Sequence, residues 1–482
     1  MKSLLMMMMM SLFALSSCSF APTYQRPVMP KPVKYKESGH WLYAKPDAAA
    51  LDRGPWWEMY RDPVLNKLED QVVLANQDLQ AALARYEQAR ASVNIAEADY
   101  FPTVTGVGNA TKQRVTKNAA NPLTNNLFND FVVGINLNYE LDVWGRIRNS
   151  VAAAKSTAQA SAADVALMNL SLHAELAINY FNLRSKEAAQ RILDETVIAY
   201  QKALSLTRQR YQGGAVSVID LDQAQSQFET AKTEAADMHL QRAQLEHAIA
   251  VLIGQEPSLF TLKKSIYKNN IVELAPTLPS TLLERRPDIA EAEYAVQAAN
   301  YDIGVARAAY FPSFNLAAAI GYESASIPKL FNGSSVAWSL GPTISSALLN
   351  NGSMPEITQV LIDGGRISAL SLQAVAKYNE TVAHYRQTVL TAYKEVEDSL
   401  VALRQLNREH QTQSKATAAS KRALAQANFR YKGGLITYLD VVVTQNIALQ
   451  SELALVDVNT RRQIASVQLV KALGGGWHKI PA

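Results

Sequence analysis

The clearest alternation of apolar and polar residues in the chain runs from Phe131 to Leu141. Every second residue there is apolar, and Gly134, Asn136, Asn138 and Glu140 lie between the apolar residues from Val133 onwards. A period of two over this length is typical of a β-strand with one apolar and one polar face, as in strands that cross a membrane. A small soluble sheet would show the same pattern. Weaker versions of it complete the set of strands that we predict, at about 103–114, 131–143, 313–324 and 335–347.

Two long segments, 147–212 and 367–432, contain neither proline nor glycine and are predicted to be helices. In the first, two apolar stripes follow a helical period: Leu167, Leu170, Ala174, Ala177 and Phe181, and then Val165, Leu172, Leu176, Tyr180 and Leu183. A narrow polar line on the remaining side consists of Asn169, His173 and Arg184. Such a helix packs on neighbours to both sides and faces water on its other two sides. This pattern is typical of a helix in the wall of a hollow cylinder, and equally of a helix in the middle of a flat bundle.

The second half of the chain repeats the first. Tyr211-x-Gly213-Gly214 recurs 220 residues later as Tyr431-x-Gly433-Gly434, and each copy has a strand pair, a long helix, a glycine turn and a further helix. The further helices are predicted at 215–254 and 436–473. We therefore predict a signal peptide at 1–17, an N-terminal segment at 18–61, repeat 1 at 62–265, a linker at 266–279, repeat 2 at 280–476 and a tail at 477–482.

Four strands in one chain cannot close a transmembrane barrel, because the smallest known barrels have eight. An open sheet edge is not tolerated in lipid. Insertion of these strands into a membrane therefore requires a ring of several chains. This arithmetic permits two, three or four copies.

The N-terminus has the features of a bacterial secretory signal. Lys2 precedes a short apolar stretch, which ends in Leu15-Ser16-Ser17-Cys18. Small residues before a cysteine resemble the lipobox of bacterial lipoproteins, whose cysteine carries a covalent lipid and becomes the mature N-terminus. Ser19 in the next position is typical of sorting to the outer membrane.

Composition excludes several other classes of protein. The net charge of +4 gives no indication of nucleic-acid binding, and the single cysteine excludes an internal disulfide. The seven histidines show neither an i,i+4 pair nor metal-ligand spacing, and no phosphate loop or nucleophile elbow is present. We predict neither an enzyme nor a metal site, and no cofactor other than the lipid on Cys18.

These features together resemble the TolC-like outer-membrane efflux factors, particularly their OprM-like lipoprotein branch. The motifs that carry the resemblance are Cys18-Ser19-Phe20-Ala21-Pro22 with Tyr24 and Arg26-Pro27, Trp56-Trp57 with Asp62-Pro63, Arg286-Pro287-Asp288-Ile289, and the paired Tyr-x-Gly-Gly turns. They are spread over nearly the whole mature chain.

The resemblance implies an α+β membrane protein of the outer membrane. Its fold would be a homotrimer with a 12-stranded transmembrane β-barrel, four strands from each chain, continued by a periplasmic α-helical barrel. A mixed equatorial region would surround the helical barrel, and the lipidated N-terminal segment at 18–61 would belong to it. Its function would be that of a passive exit duct for drugs or other toxic solutes. The partners implied are a periplasmic adaptor protein, an inner-membrane pump of the RND type and outer-membrane lipid, with no nucleic acid.

The resemblance also assigns roles to the glycine turns. It places an adaptor-docking tip at Gly213, Gly214, Ala215, Val216, Ser217, Gly433, Gly434, Leu435, Ile436 and Thr437, and a periplasmic aperture at Asp220, Asp222 and Asp440. Carboxylates around a narrow pore favour cations. Aspartate shortly after a turn is also a common helix cap, which is the alternative interpretation of these three residues.

The chain departs from the family pattern at two positions near the tip. Ile436 stands where some relatives have a basic residue, and Val443 where some have a second aperture carboxylate. Repeat 2 also contains about ten extra residues, near 349–359. Two other functions stay open at this point, a duct for type I protein secretion and a lipid-anchored coiled-coil scaffold.

Overall fold

The computed structural model describes residues 19–29, 35–37, 55–116, 118, 127–265, 286–345 and 363–475. The predicted signal peptide, Cys18, the linker at 266–279, the extra residues near 349–359 and the tail at 477–482 lie outside this range. The helices are α1 Pro63–Ala75, α2 Gln77–Ala98, α3 Arg146–Gln212, α4 Val218–Leu252, α5 Pro287–Ala308, α6 Arg366–Lys432 and α7 Tyr438–Ala472. The strands are β1 Thr103–Arg114, β2 Leu127–Leu141, β3 Ser313–Ser324 and β4 Val336–Ser345. Short 3-10 turns occupy Trp56–Tyr60, Ile327–Lys329 and Gly333–Ser335.

The chain forms two compact units, and each contains parts of both sequence repeats. The described residues of unit 1 fall within Met1–Val28, Arg85–Ser161 and Glu291–Tyr385, and those of unit 2 within Met29–Ala84, Ala162–Ala290 and Arg386–Ala482. Neither of the predicted repeats, 62–265 and 280–476, is therefore a compact body by itself. None of the helices in the described ranges combines the length and the apolar character needed to span a lipid bilayer.

Unit 1 contains an antiparallel sheet in the order β1-β2-β3-β4. Gly134 of β2 pairs with Gly321 of β3. The two strands lie so close together here that a Cβ atom built on Gly321 would be 2.5 Å from the Val133 carbonyl oxygen and 2.7 Å from Gly134 Cα. Strand β2 begins at Leu127, four residues before the predicted start, and the observed β1 and β3 have the predicted bounds.

The N-terminal segment of unit 1 packs against the end of the sheet at which β2 ends and β3 begins. Phe20 stacks on Phe311 with ring centroids 4.6 Å apart, and Trp144 stacks on the same ring at 4.7 Å. Further along, Arg26 forms an ion pair with Glu293 at 2.9 Å. The contacts of Phe20 and Arg26 therefore fix the segment that begins at Ser19 to this unit.

The first α-helix of unit 2 has a capped start. Asp62 accepts hydrogen bonds from the backbone N–H groups of Val64 and Leu65, and Pro63 occupies the first turn of α1, where its missing N–H is not needed. The second Asp62 oxygen accepts a hydrogen bond from the Tyr180 hydroxyl at 2.7 Å. The Asp-Pro motif thus fixes both the start of α1 and its contact with α3.

Arg286 is a second buried anchor in unit 2. It donates two hydrogen bonds to Asp288 and pairs with Glu395 at 2.7 Å, and it also donates to the Ala472 carbonyl oxygen. One guanidinium therefore joins the start of α5 to α6 and to the end of α7. Buried arginine is stable in a protein only with such partners.

The apolar stripes of α3 are buried as the sequence predicts from Leu170 to Leu183, but two members of the polar line opposite them, His173 and Arg184, do not face water. His173 is 2% exposed and Arg184 3% exposed. Both have partners inside unit 2: His173 contacts Glu69, and Arg184 contacts Glu187 and the Lys263 carbonyl oxygen. The expectation of a water-facing line fails there because α1 and the segment after α4 cover this side of α3.

Candidate functional site

The two Tyr-x-Gly-Gly turns share one backbone geometry. Ala215 N–H donates to the Arg210 carbonyl, and Leu435 N–H donates to the Arg430 carbonyl in the equivalent place. Gly214 and Gly434 have φ angles of +71° and +76°. This is the Schellman end of a helix, in which a residue without a side chain takes the left-handed conformation. The glycines at these two positions thus end α3 and α6.

The helices after the turns begin with capping boxes. The Ser217 hydroxyl oxygen accepts from the Asp220 N–H, and Asp220 accepts from the Ser217 N–H at 3.0 Å. Thr437 and Asp440 repeat the arrangement at the start of α7. Each box satisfies backbone N–H groups that have no partner within the helix.

The capping bonds change the acidity of Asp440. Hydrogen bonds from the Thr437 hydroxyl and backbone N–H lower the pKa of this exposed carboxyl below its usual value. Asp440 is consequently ionised at neutral pH. The cap and a charged aperture are therefore compatible roles for the same side chain.

The structure brings the two turns together in unit 2 through an apolar cluster. Its buried members come from all four adjoining helices: Leu204 of α3, Ala224 of α4, Tyr431 of α6, and Tyr438, Val441 and Val442 of α7. The Arg210 guanidinium lies 4.7 Å from the centre of the Tyr431 ring, which links the end of α3 to the end of α6. The predicted tip residues of both repeats therefore belong to one end of a four-helix arrangement.

The repeats differ in which tip residues they bury. Tyr431 is 8% exposed, whereas Tyr211 in the matching position of repeat 1 is 42% exposed. Tyr438 is buried as well, and Val218 in its place in repeat 1 is half exposed. Burial and the neighbouring tyrosines raise the pKa of Tyr438 to about 12. Sequence reasoning missed the role of Tyr431 and Tyr438, although the aromatic Tyr438 in place of Val218 is a visible difference between the repeats.

The predicted tip residues are largely accessible in the chain. Leu435 is 69% exposed, and neighbouring exposed apolar residues are Val218, Ile219, Leu439 and Val443. Asp222 and Asp440 are exposed and Asp220 is half-buried. Apolar side chains in such a group are typical of a surface that contacts another protein. Within the part of the chain that the structure describes, no group of three or more His, Cys, Asp or Glu residues could hold a metal ion.

Comparison with known proteins identifies a family, two similar sequences and a similar solved structure. The family model described as "Outer membrane efflux protein" matches residues 68–255 and 278–475. The chain is similar to outer membrane protein OprJ of Pseudomonas aeruginosa, with 32% identity over 96% of this chain and 94% of that protein. It is also similar to the cation efflux system protein CusC of Escherichia coli, with 30% identity over 97% of each chain. Among solved structures, the outer-membrane channel OprN matches 95% of this chain and 100% of its own, with a TM-score of 0.85 at 27% identity.

Proposed function

The chain belongs to the outer membrane efflux protein family, and on this premise we propose that it is a passive exit duct, which receives solutes from an inner-membrane RND-type transporter through a periplasmic adaptor. The observation that carries the proposal is the pair of Schellman turns with exposed apolar tips, because a duct of this kind must contact an adaptor at the periplasmic ends of its long helices. We propose no catalytic step for it.

Family membership confirms several predictions from the sequence. The resemblance is confirmed, and so is the fold class, a trimeric β-barrel to which each chain gives four strands, continued by an α-helical barrel. The function as the outer-membrane channel component of an efflux pump and the location in the outer membrane are also confirmed. The scaffold alternative is thereby set aside.

The lipid anchor belongs to the proposal. Cys18 lies outside the described residues, but the chain immediately after it is fixed: the Ser19 hydroxyl donates to Asn149 Oδ1 at 3.1 Å, and Phe20 stacks on Phe311. An acyl chain on Cys18 would therefore start within two residues of an aromatic cluster next to the sheet. Aromatic rings of this kind favour the boundary between lipid and water.

Photo-crosslinking tests the adaptor contact. We expect a photoreactive residue at Leu435 to capture a periplasmic adaptor in living cells, because this side chain is 69% exposed at the tip. The same residue at Leu74, which is 77% exposed on α1, is the control and should capture no adaptor. Mass spectrometry identifies the products. Capture of an ABC-type secretion system at Leu435 would move the function to protein export, and capture of an adaptor at Leu74 alone would disprove the assignment of the tip.

We propose that Asp220, Asp222 and Asp440 also line the entrance of the duct, where their charges favour cations. Two variants separate this role from capping. Asp440→Asn keeps an acceptor oxygen for Thr437 but loses the charge, whereas Thr437→Ala weakens the cap, at a cost of about 1 kcal/mol, and keeps the charge.

Reversal potentials in planar bilayers under a salt gradient measure the difference. We expect Asp440→Asn to reduce the preference for cations and Thr437→Ala to leave it unchanged while lowering the Tm. Equal selectivity of the wild type and Asp440→Asn would show that Asp440 acts only as a helix cap.

A further inference from the structure

Strand register divides the sheet of unit 1 into an apolar and a polar face. The apolar face includes Val133, Ile135, Leu137, Ile320, Trp338 and Leu340, which the pairing of β2 with β3 and of β3 with β4 places side by side. Trp338 and Leu340 are 73% and 67% exposed in the chain. The polar face carries Thr105, Asn136, Asn138, Asn315 and Ser339. In a transmembrane barrel the first face contacts lipid and the second lines the interior.

The height of the apolar face matches a membrane. On β2 it extends from Phe131 to Leu141, which is about 34 Å of strand at about 3.4 Å per residue. At a strand tilt of about 40° this corresponds to roughly 26 Å, close to the apolar band of about 25 Å in outer-membrane barrels. The row that pairs Phe131 with Ala110 is therefore the edge of the lipid-facing band at the end of the sheet away from α3.

Two basic residues stand just beyond this edge on the lipid-facing side. Lys112 pairs with Asn129 and Arg114 pairs with Leu127, which puts both side chains on the same face as Phe131. Both are exposed, and the described part of the chain supplies no ion-pair partner for either. Two residues of one strand on one face lie about 7 Å apart.

The acidic residues at this end of the sheet point the other way. Asp130 pairs with Thr111, and Glu323 pairs with Val132, so both carboxylates lie on the polar face. The outer end of the sheet is thus basic toward lipid and acidic toward the interior. Because alternate residues of a strand point to opposite faces, the carboxylates lie on the other side of the sheet from Lys112 and Arg114. The two lipid-facing cations are therefore available to an external anion.

We propose that Lys112 and Arg114 bind the phosphate groups of a phosphorylated glycolipid in the outer leaflet of the membrane. Guanidinium binds phosphate through paired hydrogen bonds, and ammonium binds it as a compact charge. The position of the two residues, directly above the apolar band, is where lipid headgroups meet a barrel. The inference rests on the outer-membrane function, because the end of the sheet away from the periplasmic helices must face the outer leaflet.

The test compares Lys112→Gln/Arg114→Gln with the matched variant Lys415→Gln/Arg422→Gln, which removes one lysine and one arginine from exposed positions on α6. The full-length proteins are placed in phosphatidylcholine vesicles with bisphosphorylated lipid A, with dephosphorylated lipid A, or with neither. Retained lipid is counted by native mass spectrometry, and the Tm of the oligomer is recorded. Single-channel conductance of the same samples reports whether the duct itself is intact.

We expect the wild type and the α6 variant to retain bisphosphorylated lipid A and to gain thermal stability from it. The strand variant should retain on the order of tenfold less, since each basic residue near an anionic surface contributes separately. Lys112→Arg/Arg114→Lys, which keeps both charges, should behave as the wild type.

The proposal would be overturned if the strand variant retained as much bisphosphorylated lipid A as the wild type. It would also be overturned if the wild type retained dephosphorylated lipid A as well as the bisphosphorylated form, and this second comparison needs no variant. A failure of the proposed duct itself would instead appear as an absence of conductance in every sample, the wild type included.

Discussion

Replacing Gly321 with alanine is expected to lower the temperature at which the trimer dissociates and to destabilise the sheet by about 3 kcal/mol. The new Cβ atom would lie 2.5 Å from the Val133 carbonyl oxygen and 2.7 Å from Gly134 Cα. Both are backbone atoms of the paired strand, so no side chain can rotate to make room. The strands must separate, and the ladder between β2 and β3 is lost at this point.

Gly108→Ala is the matched control, because it adds the same methyl group to the same sheet. Nothing lies within 4 Å of a Cβ atom at Gly108. Semi-native electrophoresis of heated membrane extracts measures the oligomer, and we expect Gly108→Ala to retain it. If Gly321→Ala and Gly108→Ala melt alike, the close approach of the strands does not limit stability.

A second large effect is expected from pH, through a buried pair in unit 2. His173 Nδ1 lies 2.6 Å from Glu69 Oε2, with the two side chains 2% and 0% exposed, and Trp57 stacks on the His173 ring. Burial, with a smaller effect from Asp70, raises the pKa of Glu69 to about 9, and burial lowers the pKa of His173 to about 4. Both shifts favour a neutral pair, in which the Glu69 carboxyl group donates its proton to His173.

The raised pKa of Glu69 gives the sign of the pH effect. Its stabilising contribution is complete below the ordinary value of 4.5 and is lost as the pH rises toward about 9, because only the unfolded chain then releases the proton readily. His173 acts in the opposite sense: its contribution is complete above 6.5 and is lost as the pH falls toward about 4. The slope for each group is at most about 1.4 kcal/mol per pH unit.

Glu69→Gln removes the alkaline part of this dependence, because the amide stays neutral and can still donate a hydrogen bond to His173. We expect the wild type to lose more stability than Glu69→Gln between about pH 5 and about pH 8. Urea unfolding at both pH values measures the loss. Glu58→Gln, which changes an exposed carboxyl group near α1, should follow the wild type. Parallel pH curves for all three proteins would mean that Glu69 is ionised in the folded state.

The sequence predicts the regular elements of this protein well, because their signals are local. The alternation around Phe131–Leu141 indicates β2, and the absence of proline and glycine between Ile147 and Gln212 indicates α3. The missed start of β2 is understandable: Asn129 and Asp130 follow Leu127 and Phe128, which breaks the period of two. Backbone pairing with β1 continues the strand through these polar residues.

Local sequence signals of this kind do not predict the contacts between segments that are distant in the chain. Gly134 and Gly321 appear in the sequence only as small residues at polar positions, and their pairing depends on register across two repeats. His173 appears as one residue of a polar line, because its partner Glu69 lies 104 positions away. At the tips, the sequence alone indicates that Asp220 and Asp440 can cap helices, whereas the contact of the Arg210 guanidinium with the Tyr431 ring follows only from the fold.

The order of the strands also has a consequence for how this chain folds. Leu141 at the end of β2 pairs with Phe314 at the start of β3, and α3, α4 and α5 lie between them in sequence. Loop closure over such a distance is slow, and strands paired in this way form late. A newly exported chain must therefore keep β1 and β2 from aggregating until β3 and β4 have emerged. Because each compact unit takes segments from both halves of the chain, neither unit is complete until almost the whole chain has crossed the inner membrane.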